Sequence, residues 1–78
     1  MYSDKHYIPK LRRNINVLDK APEDIREEVL NNIIWVKALI DGLPNLDRDQ
    51  REAAITQIHS VLDSDYEKMG FSLGSRSQ

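Results

Sequence analysis

The 78-residue chain has no cysteine and no long apolar run, and each of these absences excludes a class of protein. Without cysteine there is neither a disulfide nor a thiolate metal site, and the two histidines, His6 and His59, are too far apart in sequence to form a recognisable metal-binding pair. The longest apolar-rich stretch, IIWVKALI, is too short to span a bilayer, and no signal-peptide pattern precedes it. We therefore expect a cytoplasmic protein of a host cell, with no membrane contact, no metal and no cofactor.

The chain also lacks an excess of positive charge, since its formal net charge at pH 7 is −2. Residues 1–20 carry five Lys or Arg against two Asp, whereas residues 21–78 carry six Lys or Arg against eleven Asp or Glu. A net acidic chain disfavours binding to duplex DNA, which depends on many phosphate contacts. The basic N-terminal segment is still compatible with binding of a small anionic ligand.

Catalytic motifs are missing as well. There is no glycine-rich phosphate loop, and His59 has no Ser, Cys or carboxylate around it in a pattern typical of an activated nucleophile. The stretch DSDYE has the alternating acids of a calcium loop, but Lys68 stands where that loop needs glycine. We therefore expect a protein that is not an enzyme.

A helix-turn-helix DNA reader is a further class that the sequence allows, because Arg48 and Arg51 stand at the start of a helix. The connection before them is long for that motif, and the preceding helix is too apolar. The same turn, NLDRDQREAAI, looks like the turn of small plasmid RNA-binding four-helix bundles, but this likeness covers little more than a capped turn. A module that binds a small ligand or a protein fits the sequence better.

The pattern of apolar residues and helix-capping residues predicts three helices. The first is short, about Pro9–Leu18, and the second opens with Pro22 at its first position and ends near Asp41. Gly42 is expected in a left-handed conformation at the C-terminus of the second helix, and Pro44 is expected to prevent its continuation.

The third helix is predicted from Asp47 to about Met69. Asp47 and Gln50 have the spacing of a capping box, and Gly70 stops the helix. The short connection before Asp47 predicts an antiparallel hairpin of the two long helices. The fold class is thus all-α, a short N-terminal helix followed by an antiparallel helical hairpin, in one domain of residues 1–70 with a flexible tail of residues 71–78.

The second helix is apolar around most of its circumference. One stripe with helical spacing is expected to form the hairpin core: Ile25, Val29, Ile33, Val36, Ile40 and Leu43. Leu30 and Ile34 lie on one side of this stripe, and Trp35 and Leu39 lie on the other. Because one partner helix cannot cover all of these and the chain is short, we expect a homo-oligomeric helical bundle with Ile34, Trp35 and Leu39 between the chains.

Three pieces of the chain, read in order, resemble the phage anti-CBASS sponge family. They are YIP at residues 7–9, PEDIREE at residues 22–28, and LP at residues 43–44 followed by REAAIT at residues 51–56. Members of that family are small helical proteins, usually hexameric, that sequester cyclic di- and trinucleotide signals. This chain departs from the family pattern in lacking its Gly after Leu-Pro and in having Pro22 where the family has His. The resemblance implies a non-catalytic phage-type protein of the same function.

The resemblance implies ligand-binding residues at Tyr7, Lys20, Arg51 and Thr56. A cyclic nucleotide presents flat bases and two or three phosphates, so its binding site needs an aromatic face and cationic or hydroxyl donors. Tyr7 is suited to stack on a base, Lys20 and Arg26 to meet phosphates, and Arg51 with Thr56 to line a second pocket. Tyr7 also fits the role of an N-terminal packing anchor, and Arg51 that of a surface residue of the third helix.

A second hypothesis belongs to a different class. The apolar surface around Trp35 and Leu39 is also typical of a small phage or bacterial inhibitor that binds a host protein. The two hypotheses differ in their ligand, because only the first expects stabilisation by cyclic nucleotides.

Overall fold

The computed structural model describes residues 6–71, and this part of the chain is helical with no β-strand. Helix α1 spans Tyr7–Val17, α2 spans Glu23–Gly42 and α3 spans Arg48–Lys68. Two single 3₁₀ turns, Leu18–Lys20 and Leu43–Asn45, connect them. The predicted all-α fold with a short first helix and a helical hairpin is confirmed. Within the described range, none of the helices is both long and apolar enough to cross a membrane.

The prediction for the end of α2 is wrong in one respect. Gly42 has φ −86° and is right-handed, not left-handed. The reason is that the chain continues from α2 directly into the 3₁₀ turn, in which Pro44 is accepted because the first turn of a helix has no partner for that backbone nitrogen. At the start of α2, Pro22 was predicted to be the first helical residue, but it lies just before the helix and Glu23 is the first residue.

The predicted boundaries of α3 are confirmed. The backbone nitrogen of Gln50 donates to Oδ1 of Asp47 at 2.8 Å, and the Gln50 side chain accepts from the Asp47 backbone nitrogen at 3.4 Å. At the other end Gly70 has φ +96°, a conformation that side-chain-bearing residues rarely adopt. Phe71 then stacks on Tyr66 with a centroid distance of 5.1 Å. The rest of the predicted tail, residues 72–78, lies outside the described residues.

Helix α1 packs mainly against α3, and the two run parallel. Lys10 pairs with Asp63 at 2.9 Å, and one turn later the Arg13 guanidinium lies 3.9 Å above the centre of the Tyr66 ring. The contact partner of the later α1 residue is also later in α3, so the two helices run in the same direction. This packing carries the N-terminus of α1 back to the region where α2 ends and α3 begins.

The core lies where the three helices meet. It contains most of the predicted stripe of α2, with further contributions from α3, α1 and the connecting turns. Its buried apolar residues are Tyr7, Leu11, Ala21, Val29, Ile33, Val36, Leu43, Ala54, Ile55, Ile58, Leu62 and Met69. Burial of each large aliphatic side chain favours folding by roughly 1.5–3 kcal/mol relative to leaving it exposed.

Three polar side chains, Asn14, His59 and Asp65, lie among these apolar ones, and two of them tie helices together. Asn14 is fully buried and donates from Nδ2 to the carbonyl of Leu62 at 2.9 Å, which ties α1 to α3. Asp65 is 1% exposed and accepts at Oδ1 from Nδ2 of Asn32 at 3.0 Å, which ties α3 to α2. Because a buried polar group is costly unless it is paired, both contacts specify how the helices dock.

Candidate functional site

One pocket forms where the N-terminus of α1 meets the turn between α2 and α3. It measures about 370 Å³ and is lined by Tyr7, Ile40, Leu43, Pro44 and Arg51. We call it the Arg51 pocket. It brings together two of the residues predicted for ligand binding, which are 44 positions apart in the sequence. Apart from Tyr7 and Arg51, the residues that line it are apolar.

Arg51 is positioned by the first turns of α3. The capping box at Asp47 starts the helix, and Nη2 of Arg51 reaches back to donate to the carbonyl of Leu46 at 3.2 Å. A guanidinium has five N–H donors, so this bond leaves donors for a phosphate or carboxylate. Arg51 is half-buried, and it can meet an anion that enters the pocket from solvent.

Tyr7 is buried more deeply than a base-stacking residue would need to be. Its side chain is 6% exposed, belongs to the core and meets the His59 ring edge-on at a centroid distance of 6.4 Å. A platform for a nucleobase presents a free ring face. In this fold Tyr7 therefore forms the floor of the Arg51 pocket and also anchors α1.

His59, behind Tyr7, is 3% exposed. Burial lowers its pKa, the nearby positive charge of Lys10 lowers it further, and the carboxylate of Asp63 acts in the opposite direction. The imidazole is therefore neutral at pH 7. In the described part of the chain, no three His, Asp or Glu side chains are grouped so that they could hold a metal ion.

Thr56 is not brought to the Arg51 pocket. It is exposed on α3, five residues after Arg51, and a helical step of about 100° per residue places it about 140° around the helix from that side chain. Arg51 and Thr56 therefore project from different faces of α3.

Arg26 lines a second, more open groove of about 440 Å³ together with Ile15, Asn16, Leu18 and Asp19. Its Nη2 donates to the carbonyl of Ala21 at 2.9 Å and to that of Asp19 at 3.3 Å, so this side chain also holds the α1–α2 corner in shape. Lys20 is exposed in the same corner. We call this region the Arg26 corner.

The Arg26 corner and the Arg51 pocket lie at opposite ends of α2. Arg26 precedes Gly42 by sixteen residues, which corresponds to about 24 Å at 1.5 Å per residue. One chain therefore cannot bring the two sets of cationic side chains to the same small ligand.

The outer face of α2 carries large apolar side chains in solvent. Ile34 is 58% exposed, Leu30 45% and Trp35 42%. Leu39, which was predicted to lie between chains, is half-buried and packs partly against the core of its own chain. The face available to a partner thus runs through Leu30 and Ile34, with Trp35 at its side.

Sequence analysis missed three polar residues that organise the helices: Asn14, Asn32 and Asp65. A signal was present for two of them, because Asn14 follows Leu11 by three residues and Asp65 follows Leu62 by three, so both continue an apolar stripe. Comparisons with protein-family models, with curated proteins and with solved structures found no match to this chain.

Proposed function

We propose that this protein binds and sequesters cyclic di- or trinucleotides without changing them chemically, and that it does so as a homo-oligomer. The observation that carries the proposal is the Arg51 pocket. Residues singled out by the resemblance, namely Tyr7, the Leu43–Pro44 pair and Arg51, come from three separate segments and line the same concave site.

The chemistry of the pocket suits part of such a ligand. Its volume of about 370 Å³ is at the lower end of the range of small-molecule sites, roughly 300–1,000 Å³. The Arg51 guanidinium matches one phosphate, and the apolar surfaces of Ile40, Leu43 and Pro44 match the face of a base. Tyr7 supports this surface from below.

The remaining phosphates need cations that the pocket of one chain does not contain. The cations of the Arg26 corner, Lys20 and Arg26, lie about 24 Å away along α2. A second copy of the chain is the simplest source of further cationic groups and of a second wall. Self-association also agrees with the exposed apolar face of α2.

A thermal-shift screen with cyclic di- and trinucleotides tests the proposal. A ligand that binds only the folded protein stabilises it by RT ln(1 + [L]/Kd), about 4 kcal/mol at a thousandfold excess over Kd. We expect at least one member of the panel to raise the melting temperature, while the corresponding linear mononucleotides have a much smaller effect. A panel that leaves the melting temperature unchanged contradicts the proposal.

The exposed side chains of Leu30, Ile34 and Trp35 favour a second candidate function, that of an inhibitor of a host protein. Interfaces are anchored by large apolar and aromatic residues of this kind. In that case the chain is a monomer on its own, cyclic nucleotides leave it unaffected, and Trp35→Ala removes partner binding without altering the fold.

A further inference from the structure

The exposed face of α2 has a symmetric order of side chains. Glu27, Leu30, Ile34 and Lys37 follow one another at spacings of three, four and three residues, and all four are exposed. Helical geometry places them on one stripe of the helix, centred about 110° around the helix from the buried Val29, Ile33 and Val36. We call these four residues the α2 stripe.

We infer that the α2 stripe pairs with the same stripe of a second copy, the two helices running antiparallel about a two-fold axis at position 32. In such a pair, residues whose numbers add up to 64 lie opposite each other. Leu30 then meets Ile34 of the second copy, and Glu27 meets Lys37 of the second copy. Each contact occurs twice, as an isologous interface requires.

Charge complementarity favours a second copy of the chain as the partner of the α2 stripe, and it favours an antiparallel arrangement of the two helices. The antiparallel pair has an apolar centre flanked on both sides by an acid–base pair. A parallel pair would place Glu27 against Glu27 and Lys37 against Lys37, and like charges in contact oppose association. Glu23 faces Asp41 of the second copy at the solvent-exposed ends of the helices, and these two like-charge contacts oppose the antiparallel pairing weakly, whereas in a parallel pair each of the four charged residues meets its own copy.

The size of the proposed interface indicates how tightly the two copies should bind each other. Helix α2 has 20 residues and is thus about 30 Å long, and the stripe covers only its middle. A standard stable interface buries about 800 Å² on each partner. This pairing is smaller, so we expect a dimer with a dissociation constant in the micromolar range.

The pairing has a consequence for the site. Gly42, at the end of α2 next to the Arg51 pocket, lies opposite Pro22 of the second copy. The Arg26 corner of one chain, with its Lys20, is thereby brought to the same end of the helix pair as the Arg51 pocket of the other. Cations that are about 24 Å apart along α2 within one chain then act together across the interface.

Charge reversal tests the pairing without any nucleotide. Glu27→Lys and Lys37→Glu each turn two attractive contacts into two repulsive ones, so each variant alone should dimerise at least about tenfold more weakly in sedimentation equilibrium. The doubly reversed protein should dimerise like the wild type. An equimolar mixture of the two single variants should also recover dimers, because every Lys then faces a Glu.

Controls and contrary outcomes are well defined. Glu67→Lys and Arg48→Glu make the same changes in net charge at exposed positions of α3 and should leave dimerisation unchanged. Ile34→Asp should give a monomer, whereas Gln57→Asp should not. A wild type that stays monomeric at high micromolar concentration, or single variants that dimerise normally, overturns the pairing. The α2 stripe would then be a binding surface for a different protein.

The shared site has its own test, which rests on the proposed function. Arg51→Ala and Lys20→Ala should each weaken binding of the cyclic nucleotide found by the thermal-shift screen. A mixture of the two variants should regain one strong site per heterodimer, since Arg51 of one chain and Lys20 of the other are then both present. Absence of recovery in a mixture that does form dimers overturns the shared site alone, whereas loss of wild-type binding overturns the proposed function.

Discussion

The Asp65 carboxylate of α3 accepts a hydrogen bond from the Asn32 amide of α2 at 3.0 Å, and this contact is buried between the two long helices. Oδ2 of Asp65, the other oxygen of this carboxylate, has no hydrogen-bond partner among the described residues. Burial raises the pKa of Asp65 and Glu28 raises it further, while the Asn32 amide and the Lys68 ammonium act in the opposite direction. The fold therefore holds a carboxyl group in a place that favours its neutral form.

Asp65→Asn should make the protein more stable at pH 7. A raised pKa means that the folded chain binds the proton more tightly than the unfolded chain, so this contribution to stability is complete below the ordinary pKa of 3.8 and is lost as the pH rises through the folded pKa. The variant removes the buried charge, and its free energy of unfolding at pH 7 should rise by about 1 kcal/mol. Urea titrations between pH 4 and 8 measure the effect.

The advantage of Asp65→Asn should shrink as the pH falls through the raised pKa of Asp65, because the wild-type carboxyl then becomes neutral. Asp41→Asn, at an exposed position, is the control and should not change the shape of the pH profile. A stability gain for Asp65→Asn that is the same at every pH would contradict the assignment of a buried titrating group.

Asn14→Ala should destabilise the docking of α1 on α3. The Asn14 amide is fully buried and donates to the Leu62 carbonyl at 2.9 Å, so the variant leaves that carbonyl with only the longer side-chain contact from Nη2 of Arg13, at 3.3 Å. Loss of such a buried partner costs about 1–3 kcal/mol. Asn16→Ala, on the exposed side of the same helix, should be nearly neutral in the same denaturation experiment.

Asp47→Ala should cost about 0.5–2 kcal/mol of stability, the usual range for loss of a helix N-cap. Its Oδ1 accepts from the Gln50 backbone nitrogen at 2.8 Å, which no alanine can replace. Asp49→Ala is a matched control two residues later, because it removes the same charge from the first turn without removing a cap. Equal melting temperatures for the two variants would argue against the capping box.

These features differ in how far the sequence could predict them. The capping box and the stop at Gly70 depend on residues within one helical turn, and both were predicted. The handedness of Gly42 was not, because it depends on the helical turn that follows it. For Tyr7 the sequence allowed either a base-stacking residue or an N-terminal packing anchor. Its burial depends on how α1 docks along α3, a tertiary choice that no local pattern contains, so only the fold favours the packing role.

Substitutions of Tyr7 should therefore act first on stability. Tyr7→Ala should cost about 3–5 kcal/mol, as truncation of a buried aromatic side chain does, and should lower the melting temperature sharply. Tyr7→Phe keeps the ring and should stay folded. If Tyr7→Ala melts like the wild type by circular dichroism, the ring is not part of the core.

The measurement that tests the account most directly is calorimetric titration of the wild type and of Arg51→Ala with cyclic di- and trinucleotides. Arg51 is half-buried at the rim of the pocket, so its truncation should leave the fold intact. A charge-assisted contact is worth about 1.5–3 kcal/mol, which corresponds to a loss of affinity of tenfold or more. We predict binding by the wild type and this loss in the variant at an unchanged melting temperature. No heat with any of these ligands, or equal affinity in both proteins, would contradict the sequestering function.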